Sequence, residues 1–86
     1  MVVRYSKSAL KFLAKADKQM VQRIRQAVDG LTKIPPDGDI KIMQGFSDDR
    51  QRLRVGKYRI IFRFTVEESI EIVYIIDIGS RGDIYK

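Results

Sequence analysis

The chain has 86 residues, with 17 Lys and Arg against 11 Asp and Glu, a net charge of +6, no cysteine and no histidine. That length makes one domain, residues 1–86, with one modest core, burying roughly two thirds of the surface the unfolded chain exposes. Thiol nucleophiles, Ser-His-Asp triads and His/Cys zinc sites are excluded by composition, and no apolar run reaches the roughly 18 to 20 residues that cross a bilayer. A soluble, cytoplasmic protein is expected, since "MVVRYSKSAL" lacks the apolar core of an export signal. The positive balance favours a polyanionic partner, either a nucleic acid or an acidic protein segment.

"VVRY" at 2–5 reads as a short first strand. From Ser8 onward Leu10, Leu13, Ala14, Met20, Val21, Ile24, Ala27, Val28 and Leu31 recur at three- and four-residue steps, the mark of a helical stripe. One helix of about 24 residues would be roughly 36 Å long, more than a domain of this size is wide. A break is therefore expected, with Asp17 in "AKADKQM" as N-cap of a second helix. "TKIPPDGD" then stops the helix. "DGD" at 37–39 is not a calcium loop, because Lys41 occupies the next ligand position and no Glu stands at the twelfth.

Beyond the prolines the period changes to two, and residues 51–55, 58–64 and 70–78 read as strands. Gly56-Lys57 is a two-residue loop suited to a type II′ turn. This fixes a register: Val55 faces Tyr58, Leu53 faces Ile60 and Gln51 faces Phe62 on one side. On the other, Arg54 faces Arg59, Arg52 faces Ile61 and Arg50 faces Arg63. In the last strand Ile70, Ile72, Tyr74, Ile76 and Ile78 are expected on one face, with Glu71, Val73, Ile75 and Asp77 on the other.

The hairpin "DDRQRLRVGKYRIIFRF" thus gathers Arg50, Arg52, Arg54, Lys57, Arg59 and Arg63. Like charges directly opposite on paired strands cost up to about 1 kcal/mol per pair, so stability alone would not select them. A charged face can simply keep an exposed sheet soluble, but edge protection favours Lys, and five of these six are Arg. Arginine's planar fork suits bidentate contact with phosphate and stacking on bases. Lys41 joins Arg54, Lys57 and Arg63 as an expected contact for the phosphates of a polyanion such as RNA. In the tail "GSRGDIYK", Arg81 and Tyr85 stand four residues apart, and Tyr85 is either a terminal aromatic packing on the sheet or part of a site. Asp48-Asp49 and Glu67-Glu68 read as solvated turn residues, and Arg81-Gly82-Asp83 as a coincidental adhesion tripeptide.

The run "QRLRVGKYRIIFRF", the isoleucine-rich strand and "DIGSRGDIY" together resemble the RelE/ParE superfamily of toxins from bacterial toxin–antitoxin operons. The opening "SKSALKFLAKADKQMVQRIRQAVDGL" and "IMQG" fit as well, so the likeness covers nearly the whole chain. It implies an α+β fold: a short N-terminal strand, a helical hairpin, then a three-stranded antiparallel meander completing one twisted sheet. RelE-type members are implied to cut messenger RNA in the ribosomal A site without metal or other cofactor, and ParE-type members to poison DNA gyrase. Carried over by position, the resemblance gives Arg50, Arg52, Arg59, Arg81 and Tyr85 as catalytic residues of an endoribonuclease, with a cognate antitoxin, the ribosome and mRNA as partners. The spacing of arginine and tyrosine in the tail varies among relatives, which leaves the counterpart of Arg81 open. Arginine stays protonated and cannot act as base, so Tyr85 is the expected acceptor of the 2′-OH proton.

Overall fold

The computed structural model describes residues 1–80. In chain order the elements are β1 (Val2–Tyr5), α1 (Lys7–Lys15), α2 (Lys18–Gly30), β2 (Asp39–Ile42), β3 (Gln51–Val55), β4 (Tyr58–Glu67) and β5 (Ile70–Ser80). The five strands form one open sheet in the order β1-β5-β4-β3-β2. β1 runs parallel to β5, and the other pairs are antiparallel. The architecture is the expected α+β arrangement with one strand more than the sequence predicts.

Each helix begins on a side-chain cap that satisfies amides left without an intrahelical partner. Ser6 Oγ accepts from the Ala9 N–H at 3.0 Å and donates to the Ile76 carbonyl at 2.6 Å, so the cap also ties α1 to β5. Asp17 caps α2 as predicted, its Oδ1 accepting from the Met20 N–H at 2.8 Å. The chain's longest extent is 34 Å, so an unbroken helix over the same residues would have outrun the domain.

The helices cover one face of the sheet. Ala9, Ile24, Val28 and Leu31 pack there against Leu53, Ile60, Phe62, Val73, Ile75 and Ile78. Burying a Leu, Ile or Phe side chain contributes roughly 1.5–3 kcal/mol, which makes this cluster the main stabilising contact of the fold. Phe64 and Val66 extend the same side of β4 past the helices and stay exposed.

The hairpin register is as predicted: Val55↔Tyr58, Arg54↔Arg59, Leu53↔Ile60, Arg52↔Ile61 and Gln51↔Phe62. Gly56 has φ +59°, the first-position geometry of a type II′ turn. Two expectations fail. The ladder starts at Gln51, so Arg50 does not pair with Arg63; the Arg50 carbonyl instead accepts from the Met43 N–H at 3.0 Å. The division of the last strand into two faces also fails past its middle, because Ile61 pairs with Asp77 but Phe62 pairs with Ile75, leaving Ile76 as an extra residue. A bulge of this kind shifts every later side chain to the opposite face. Val73, Ile75 and Ile78 therefore all reach the helix-side core.

Candidate nucleic-acid interface

The face of the sheet away from the helices carries five of the cations of β2, β3 and β4. Alternation along β2, β3 and β4 puts Lys41, Arg52, Arg54, Arg59 and Arg63 on this side, opposite in sense to Leu53, Ile60 and Phe62. Two cross-strand rows result. One runs Lys41↔Arg52↔Ile61↔Asp77, and the next runs Asp39↔Arg54↔Arg59↔Gly79. The second row sets two arginines directly opposite each other and ends on a residue with no side chain.

β2 changes the electrostatics that the hairpin alone suggests. Asp39 lies beside Arg54 in register and reaches Arg52, with Oδ1 3.9 Å from Arg52 Nη2. Arg52 is only 7% exposed, and its Nη1 has no hydrogen-bond partner. A buried charged donor without an acceptor costs more than the roughly 1–3 kcal/mol of a neutral one. Arg52 is thus held in the sheet surface with unused donor capacity. Asp77, on the same row, is engaged elsewhere: its Oδ1 accepts from Ser8 Oγ and from the Ile78 N–H, both at 2.9 Å.

Arg50 behaves differently from the strand arginines. Its Nε and Nη2 donate to the two Asp48 carboxylate oxygens at 2.9 and 2.8 Å, and its guanidinium carbon sits 4.3 Å from the Phe46 ring centre. This hydrogen-bonded pair pulls the Asp48 carboxyl below its ordinary range and raises Arg50 above its own. The expectation that Asp48 is merely a solvated turn residue is corrected; a carboxylate two residues before an arginine was the local signal for the pair.

Lys57 is not on the cationic face. It lies 5.4 Å from the Tyr58 ring, at a cleft of about 540 Å³ lined also by Phe12, Met20 and Ser80 on the helix side. Arg81 and Tyr85 lie outside the described residues. Among the described residues the structure therefore brings together Lys41, Arg52, Arg54, Arg59 and Arg63, and sets Arg50 and Lys57 apart. Sequence reasoning missed Asp39, because it took residues 37–39 for a loop.

An open mixed sheet with two helices on one side is the fold this chain shares with solved toxins of toxin–antitoxin systems. An archaeal RelE from Pyrococcus horikoshii, solved in complex with RelB, is 27% identical with TM-score 0.69, covering 95% of this chain and 96% of that one. Two further structures share the fold: a YoeB/ParE toxin from Agrobacterium tumefaciens (17% identity, TM-score 0.76, 94% and 99% covered) and the toxin–antitoxin complex RelBE2 from Mycobacterium tuberculosis (20%, 0.70, 93% and 96%). No curated protein gives a significant match. Residues 3–85 match the family described as the ParE toxin of the type II toxin–antitoxin system, parDE, and the chain belongs to that family, within the RelE/ParE superfamily.

Proposed function

We propose that this toxin is a ribosome-dependent endoribonuclease that cuts mRNA in the A site. The ribose 2′-oxygen attacks the adjacent phosphorus, the bond from phosphorus to the 5′-oxygen breaks, and a 2′,3′-cyclic phosphate and a 5′-hydroxyl result. One proton leaves the 2′-OH and another reaches the departing 5′-oxygen. Charge grows on the phosphate oxygens along this path, and preorganised cations aimed at it stabilise the transition state by several kcal/mol in typical cases.

The observation that carries the reading is the pair of adjacent rows Lys41–Arg52 and Arg54–Arg59 on the side of the sheet away from the helices. Arg52, short of an acceptor, and the opposed Arg54 and Arg59 are stabilised together by a phosphate set between them. Lys41 and Arg63 extend the phosphate contacts. Arg81 and Tyr85 complete the constellation by resemblance, with Tyr85 as proton acceptor. A phenol's ordinary pKa near 10 makes this slow unless guanidinium groups stabilise the phenolate.

A purified ribosome programmed with message in the A site tests the reading. Cleavage by the wild type is expected to drop by at least about 100-fold in Arg59→Ala and in Tyr85→Phe, the scale of one lost electrostatic or acid–base contribution. Full cleavage by both variants would refute the assignment. The family match names ParE, which favours a second reading: a gyrase inhibitor that uses the surface without cleaving anything. Inhibited supercoiling with intact message would establish it.

In either case the partner is a cognate antitoxin, as the neighbouring structures that are toxin–antitoxin complexes suggest. A chain of net charge +6 fits a segment that presents acidic and apolar side chains.

A further inference from the structure

The same open face carries, closer to the β1 edge, a row of which the reading above uses only Arg63. Arg4 of β1 and Arg63 of β4 are both register partners of Tyr74 in β5. Adjacent strands lie roughly 4.8 Å apart, so the two arginines flank the phenol with backbones about 10 Å from each other. The Arg63 guanidinium carbon is 5.9 Å from the Tyr74 ring centre. These three residues, with Thr65, Glu67 and Ile72, line a cleft of about 340 Å³. Ile72 is only 2% exposed and gives it an apolar floor.

Arg4 is held at its outer end by Glu67, with Nη1 2.7 Å from Oε2 and both side chains more than half exposed. An exposed pair like this contributes little and is readily exchanged for another anion. A ring with one guanidinium over it and a second arginine opposite it on the next strand, above an apolar floor, offers stacking and paired charge together. That is the combination by which single-stranded nucleic acid is bound without reading its sequence. Arg63 is four residues along β4 from Arg59, roughly 14 Å at strand spacing, so one short oligonucleotide can engage both rows.

We propose that Arg4, Tyr74 and Arg63 form a subsite for a nucleotide of single-stranded RNA flanking the scissile phosphate, with the base stacked on Tyr74 and phosphates held by the two arginines. The proposal rests on the endoribonuclease reading. It adds two RNA contacts, Arg4 and Tyr74, to that reading and sets Arg63 beside them.

The test measures binding of labelled hexauridylate and of inorganic polyphosphate to the full chain at low salt. Tyr74→Leu is expected to weaken hexauridylate by roughly 5- to 100-fold, the worth of one stacked base, and to leave polyphosphate unchanged, whereas Tyr74→Phe retains wild-type affinity. Arg63→Gln and Arg4→Gln are expected to weaken both ligands and to flatten the salt dependence. Photocrosslinking of hexauridylate to the wild type, which depends on no variant's folding, is expected to mark Tyr74. Undiminished hexauridylate affinity in Tyr74→Leu, equal losses for both ligands, or crosslinks confined to other residues would each overturn the subsite. Loss of antitoxin or gyrase binding with RNA affinity intact would reassign the row to a protein partner. If wild type cleaves A-site message while Tyr74→Leu binds normally, the subsite alone fails; if wild type neither cleaves nor binds, the functional reading fails with it.

Discussion

Arg50 and Arg52 show how differently two arginines one residue apart can be placed. Arg52 points into the open face of the sheet and is almost wholly covered, while Arg50 precedes the strand and is clamped by Asp48. The clamp gives a pH-dependent contribution with a defined sign. The Asp48 carboxyl titrates lower in the folded chain than in the unfolded one, so its stabilisation is present above the ordinary Asp value of about 4 and is lost as pH falls through the lowered value. Thermal melts of wild type and Asp48→Asn are therefore expected to differ at neutral pH and to converge in strong acid. A gap that persisted in acid would point to packing against Phe46 instead. The sequence showed that the hairpin's charges are mostly arginine and that Arg54 opposes Arg59. It could not show how they are paired, since Asp39 reaches Arg52 only through a strand that local pattern does not announce.

At the level of elements, the most legible parts were those with a local cause. Asp17 marked the helix break, and Gly56-Lys57 set the hairpin register to the residue. β2 was not legible because "DIKI" alternates over four residues only, directly after two prolines and a glycine; it is a strand because β3 offers it an edge. The bulge at Ile76 was hidden for a different reason: "IEIVYIIDI" is apolar at nearly every position, so either phase buries something. The turn between β4 and β5 carries its own prediction. Glu68 and Ser69 have φ +49° and +66°, a left-handed geometry that costs an L-residue roughly 1–2 kcal/mol. Glycine relieves that strain but loses roughly 0.5–1 kcal/mol in added unfolded-state freedom. Ser69→Gly is thus expected to stabilise the fold by about 0.5–1 kcal/mol, a rise of a few degrees in melting temperature for a domain this small. An unchanged or lower melting point would show that the turn is not strained.

For the molecule as a whole, the sheet separates two jobs. Its helix side contains the core, and its other side collects cations at adjacent register positions. The bulge serves both, since it lets Ile78 join the core while Tyr74 stays between Arg4 and Arg63. The first strand lies parallel to the last, so the edge that bears Arg4 forms only when both ends of the chain have come together. The hairpin register, the helix break and the shared face of Arg52, Arg54 and Arg59 were readable from the sequence, whereas β2 and the bulge in β5 were not. The placement of Arg81 and Tyr85 relative to that face lies outside the described residues.

Under the proposed function the arginine rows engage RNA and promote its cleavage on the ribosome. The most direct measurement is a map of transcript 5′ ends shortly after induced expression. New ends are expected within codons at the A site, absent when Arg59→Ala is expressed at the same level. Unaltered ends, accompanied by an SOS response and disturbed supercoiling, would contradict the claim.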